Sequence, residues 1–175
     1  MRRVMVIGGP GAGKSTFARA LGSRLGVPVV HMDTLFWEPG WVMAGETDLR
    51  TRVAAAVAGD AWVMDGNYSR TWPIRLARAD TVIFLDIATP RRLWRVLGRI
   101  AAGYGRDRPD VGPGCPEKLD LDFIVNWVGR YRWRARPKAL ELIAEAGPAG
   151  HLVRHHLTSP RAVAQFLKGQ GRKAA

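Results

Sequence analysis

The chain has 175 residues, a single cysteine and a formal charge of +12 from 27 basic and 15 acidic side chains. That length suits one well-buried domain over 1–175 and is short for two. Cys115 alone excludes an internal disulfide, and four histidines at no metal-ligand spacing exclude a zinc site. No run of about 18 apolar residues offers a membrane span, and the direct passage from Met1 into an apolar strand leaves no room for a signal peptide, so a cytoplasmic protein is expected.

Val4-Met5-Val6-Ile7 reads as a buried strand, and the octapeptide Gly8-Gly9-Pro10-Gly11-Ala12-Gly13-Lys14-Ser15 follows it. This octapeptide matches the phosphate-binding pattern G-x-x-x-x-G-K-S/T. The helix it opens carries Phe17, Leu21 and Leu25 on one face. Glycines let successive N–H groups turn inward, and the helix N-terminus adds partial positive charge. The segment Gly8–Thr16 is therefore expected to bind a nucleoside triphosphate, with Lys14 on the β- and γ-phosphates and Ser15 on Mg2+.

Gly26 stops the helix, and Pro28–His31 predicts a second strand ending near Asp33. A carboxylate at that sheet edge suits orienting or deprotonating a substrate hydroxyl. Trp37 and Trp41 supply an acceptor wall, although core packing accounts for them equally well. A helix is predicted over Thr47–Ala58 and a third strand over Ala61–Asp65. Asp65, followed by Gly66-Asn67-Tyr68-Ser69-Arg70, reads as the partner of Mg2+. Asp86, at the end of a fourth strand over Thr81–Asp86, competes for that role, but Gly66 favours Asp65 by allowing close backbone approach. Arg70 is a candidate for an anionic group of the acceptor.

Thr89-Pro90 signals a helix start. That helix sets Leu93, Val96, Leu97 and Ile100 on one side and Arg91, Arg95 and Arg99 on the other. The stretch Gly103–Pro116, with Arg106 and Arg108, reads as a mobile loop. Together they predict a closing lid over about 99–122 in which Arg95 and Arg99 neutralise charge on a transferring phosphoryl group. A helical pattern resumes near Asp120 with Phe123, Trp127 and Tyr131 spaced by four. Pro137 begins another helix stopping at Gly147, His151–Arg154 forms a weak fifth strand, and Ser159-Pro160 caps a last helix. Trp62, Trp94, Trp127 and Trp133 fit packing patterns, and His155-His156 a surface pair.

Gly8–Thr16, Asp65-Gly66 and the Arg95/Arg99 pair resemble the adenylate kinase group. The runs His31–Trp41, Asp65–Tyr68 and Asn126-Trp127-Val128 are more closely similar to the adenylate kinase-related topology modulation proteins. The resemblance runs from about Arg3 to Leu167. It implies a three-layer α/β fold of the nucleoside and nucleotide kinase type, with a parallel five-stranded sheet in the order 2-3-1-4-5. It also implies base recognition near Arg99 or the Leu157–Arg161 loop. One departure is Arg70, five residues after Asp65 with no proline before it, where adenylate kinases place the AMP-binding arginine at four.

These readings converge on an ATP- and Mg2+-dependent phosphotransferase acting on a small-molecule acceptor: a nucleoside, a nucleotide or another hydroxyl compound. The acceptor segment is expected at about 33–60. The alternative is a nucleotide-binding regulator that associates with DNA through its basic face. Ten arginines between Arg91 and Arg136, against five acids, give that face its charge.

Overall fold

The computed structural model describes residues 1–144 and 152–171. In chain order the elements are β1 (Arg3–Gly8), α1 (Lys14–Leu25), β2 (Val29–His31), α2 (Met32–Phe36), and a hairpin of β3 (Trp37–Glu38) and β4 (Val42–Met43). Then come α3 (Glu46–Ala56), β5 (Trp62–Asp65), α4 (Trp72–Leu76), β6 (Thr81–Leu85) and α5 (Thr89–Gly103). A π-helical segment, Phe123–Gly129, leads into α6 (Tyr131–Arg134), α7 (Arg136–Ala144), β7 (Val153–Leu157) and α8 (Pro160–Gly169).

Five strands form one parallel sheet in the order β2-β5-β1-β6-β7, which is 2-3-1-4-5 when the hairpin is set aside. Strand residues alternate between faces, and here both faces are covered. Val4, Val6, Val63, Ile83 and Leu85 pack with Phe17, Ala18 and Leu21 of α1, with α8 against the same layer. Met5, Ile7, Val82 and Phe84 pack on the other side with Trp72, Ala139 and Leu142. Burial on both sides explains why β1 and β6 read as unbroken apolar runs. A third cluster seats α3, through Leu49 and Val53, on Met32, Trp62 and Met64. Among the described residues no helix is long and apolar enough to cross a membrane.

Several local expectations change. The β3–β4 hairpin and the short helices α2 and α4 carry too few residues for a periodic signal. The fifth strand lies two residues later than expected, at Val153–Leu157, in parallel register with β6 from Thr81 to Leu85. His151 and the expected helix stop at Gly147 fall outside the described residues. Trp94, Trp127 and Trp133 are not packing residues: they are 76%, 62% and 72% exposed, whereas Trp62 is buried. Trp127 lies in the π-helical segment and Tyr131 in α6 beyond it, so the two do not belong to one continuous α-helix. Tyr131 stays buried and Trp127 turns outward.

The Gly/Pro-rich loop is latched to the hairpin. Trp41 Nε1 donates to the Pro116 carbonyl (3.0 Å), Gly40 N to Gly114 O (2.8 Å), and the buried Cys115 thiol to Glu38 O (3.2 Å). This places the predicted lid directly on the predicted acceptor segment.

Candidate functional site

The C-terminal ends of β1, β2 and β5 bring four motifs together. The loop after β1 runs from Gly8 to Gly13, with Gly11 and Gly13 at φ of +77° and +93°. Helix α1 then begins with no side-chain cap and no acid in its first turn, so its N–H groups remain open to an anion. Lys14 folds back over the loop, Nζ donating to Gly9 O at 3.2 Å. Burial draws the Lys14 ammonium below its ordinary value, while Asp65 and Asp33 act against that shift and the Arg99 charge reinforces it. These four side chains therefore share one electrostatic field.

β5 ends at Asp65, beside β2, where His31 is its register partner. His31 Nδ1 and Asp65 Oδ1 lie 2.5 Å apart, and this hydrogen bond raises the His31 pKa above its usual value. The contact uses one oxygen of Asp65, which is itself 4% exposed. His31 joins the site without having been singled out in the sequence. Its signal was its position, opposite Asp65 when two short parallel strands are paired.

Tyr68 is the other unexpected member. It sits at φ +36° in the turn after β5 and donates its phenol hydrogen to Asp33 Oδ1 at 2.6 Å. Burial pushes the Asp33 carboxyl up, while the Tyr68 hydrogen bond and the Lys14 charge pull it down. Phe36 packs on both Tyr68 and Trp37 with ring centroids 4.7 Å apart, and Trp37 meets Trp41 edge-on at 5.3 Å. Trp37 and Trp41 thus form part of one aromatic chain leading from Asp33 to the Gly/Pro-rich loop.

Two buried arginines hold this arrangement from beneath. Arg75 Nη1 donates to Gly66 O at 2.8 Å, and Nη2 reaches Asn67 O, so one guanidinium organises the turn that carries Asp65 and Tyr68. No side-chain carboxylate among the described residues is bonded to it, and burial draws its pKa down to about 9. The Asn67 side chain in turn accepts from Gly8 N at 2.9 Å, tying the turn to the phosphate loop. Arg92 donates to Ile87 O (3.0 Å), Pro10 O (3.3 Å) and Val128 O (3.1 Å) and stacks over Tyr131.

The predicted lid arginines separate. Arg95 Nη1 donates to Ala12 O of the phosphate loop at 3.2 Å. Arg99 leans the other way, onto Glu117. Arg108 of the Gly/Pro-rich loop pairs with the same Glu117, and its charge bears on Asp33. Asp110 comes to the mouth of the loop: burial raises its carboxyl, but the Ser15 hydroxyl and Arg108 together hold it below the usual range.

Two candidates lie outside this cluster. Arg70 is 83% exposed and only loosely paired with Glu46 at 3.4 Å, so it does not face Asp33. Asp86 is engaged by Arg136 through contacts of 2.7 and 2.8 Å and by His156 Nε2 at 2.9 Å, next to a Phe84–His156 stack. His156 is therefore an anchor for Asp86 instead of one half of a free surface pair.

Residues 4–86 match the ATPase family associated with various cellular activities (AAA). An adenylate kinase from Clavibacter michiganensis is 32% identical over 110 residues, covering 61% of this chain and 54% of that protein, so the chain spans about half the length of this curated relative. The shikimate kinase of Acinetobacter baumannii, solved with shikimate, superposes with a TM-score of 0.59 at 18% identity, over 97% of this chain and 90% of that one. A sugar kinase from a Janibacter species gives 0.51 at 13% identity, over 96% and 93%. The fold is the three-layer α/β fold of P-loop kinases.

Proposed function

We propose that the chain is an ATP-dependent phosphotransferase that moves the γ-phosphoryl group to a hydroxyl of a small-molecule acceptor. The observation that carries this reading is the convergence of Lys14, at the start of an uncapped helix, with Asp33, Asp65 and Arg99 in one field. The kinase names of the similar proteins support it.

The loop fits a triphosphate. Its glycines hold a curled backbone, the first turn of α1 is open, and Lys14 is bonded only to a loop carbonyl that a phosphate oxygen can replace. Ser15 and the remaining oxygen of Asp65 would hold Mg2+, His31 fixing the Asp65 carboxylate. The ion, when bound, offsets negative charge on the phosphate oxygens. Asp33 orients the acceptor hydroxyl and takes its proton, and burial suits it to that task by raising its basicity. Arg95 and Arg99 supply positive charge at the transferring group, and the lid latched over the hairpin excludes water. The acceptor segment is residues 33–60 and the lid 99–122. Arg70, which faces solvent, is left out of acceptor binding.

The test is incubation of the purified protein with γ-labelled ATP and a pooled panel of nucleosides, nucleotides and other hydroxyl compounds. Transfer of label to an acceptor is expected. Label that stays on ATP, or appears only as free phosphate with every acceptor, refutes the reading.

One observation favours the second reading. Exposed Trp94, Trp127 and Trp133 are interleaved with the exposed arginines Arg91, Arg130, Arg132 and Arg134, a mixture suited to stacking bases along an anionic strand. Binding of single-stranded DNA that falls steeply between low and high salt would support it.

A further inference from the structure

Glu117 belongs to none of the sequence motifs, yet its side chain is only 6% exposed and lies between two cations. Its Oε2 is 3.0 Å from Arg99 Nε and 3.1 Å from Arg108 Nε, and its Oε1 accepts from Arg99 Nη2 at 3.2 Å. The backbone fixes it: Glu117 N donates to Arg106 O (2.9 Å), and Glu117 O accepts from Gly105 N (2.8 Å). Both charges act on the site: that of Arg99 disfavours the charged form of Lys14, and that of Arg108 favours ionised Asp33.

The fit between these three groups is incomplete. Arg99 Nε, Arg108 Nε and Glu117 Oε2 are buried and close, but none makes an aligned hydrogen bond. A carboxylate has two oxygens, while two guanidiniums present about ten N–H donors between them. One negative charge therefore restrains two positive ones and leaves donors unpaired beside the phosphate loop. A group with more oxygens and more charge would satisfy them better.

We infer that Glu117 is a positioning residue that also competes with the triphosphate: it holds Arg99 and Arg108 beside the phosphate loop, and phosphate oxygens take over part of its contacts. The inference rests on the donor site proposed above. Through its hold on both guanidiniums, Glu117 sets their direction during transfer and lowers the affinity of the loop for its ligand.

The variant that tests this is Glu117→Gln, which keeps the shape and removes the charge. Calorimetric titration with a non-hydrolysable Mg-ATP analogue is expected to show about tenfold tighter binding, because two arginines lose their internal partner. Turnover in the labelled-ATP assay is expected to fall about tenfold, because the same arginines lose their orientation. A residue serving only the fold would give a lower melting temperature with analogue affinity unchanged or weaker, and that result overturns the inference. If Glu117→Gln does not fold, Arg108→Gln approaches the same cluster from the other side. It removes one cation and leaves Glu117 wholly on Arg99, so analogue binding should weaken about tenfold; unchanged binding overturns the inference. The affinity arm needs no acceptor. A wild-type protein that binds the analogue but phosphorylates nothing refutes the phosphotransferase reading alone.

Discussion

Gly11 and Gly26 both occupy left-handed backbone, at φ of +77° and +66°, but their surroundings differ. A Cβ on Gly11 would lie 2.4 Å from the Arg92 carbonyl oxygen and 3.0 Å from Val96 Cγ2, whereas one on Gly26 meets nothing within 4 Å. An alanine in that conformation costs about 1–2 kcal/mol at either site. The reduced entropy of the unfolded chain returns about 0.4–1 kcal/mol at both. Gly26→Ala should therefore destabilise by about 0–1.6 kcal/mol. Gly11→Ala adds about 1–3 kcal/mol of overpacking, for a total of about 1–5 kcal/mol. The obstructing atom belongs to the backbone of α5, which a rotamer change cannot clear, so the phosphate loop must move instead. A loop displaced by about 1 Å should lose about 10²-fold in turnover, whereas Gly26→Ala, at the far end of α1, should keep it. Urea unfolding followed by tryptophan fluorescence measures the stabilities, and the labelled-ATP assay measures turnover. Equal losses of stability in the two variants, or wild-type turnover in Gly11→Ala, would refute the argument.

Three further outcomes follow from the charges. Tyr68→Phe removes the hydrogen bond that favours ionised Asp33, so the Asp33 pKa rises further and the acidic limb of the pH–rate profile moves to higher pH; an unmoved limb would show that Asp33 is not the titrating base. Asp86→Asn breaks the contacts to Arg136 and His156 and should destabilise by about 2–4 kcal/mol while leaving affinity for the ATP analogue unchanged. Weakened analogue binding there would return Asp86 to the metal site in place of Asp65. His31 has a raised folded pKa, so its pair with Asp65 stabilises fully below about pH 6.5 and loses this contribution as pH rises through the raised value. His31→Gln should flatten the decline of melting temperature across that window, and parallel curves for variant and wild type would count against it.

The phosphate loop and the strands themselves were readable because each depends on local pattern: glycines at set spacing after an apolar run, and strands buried on both faces that show as unbroken hydrophobic stretches; the order of the strands came only from the resemblance to adenylate kinases. The placements of Asp33 and Asp65 followed from their positions at strand ends. Local pattern failed where one apparent helix proved to be two elements, as for Trp127 in the π-helical segment and Tyr131 in α6. It failed again where elements were only two to five residues long, as in the hairpin and α2.

The arginines show the limit most clearly. In sequence, Arg91, Arg92, Arg95 and Arg99 are the same residue type on one helix, and periodicity alone assigns them to faces. Tertiary structure gave them different work. Arg92 became buried because the Pro10 carbonyl, 82 residues away, and Val128 O supply acceptors inside the core. Arg95 met the phosphate loop at Ala12, and Arg99 met Glu117 beside a loop seated by Trp41. A guanidinium's role is set by which oxygens surround it, and those oxygens belong to segments that only the folded chain brings together. The sequence determined where a loop of phosphate-binding pattern stands and at which edge of the sheet; tertiary packing decided which cations reach that edge and which side chains restrain them.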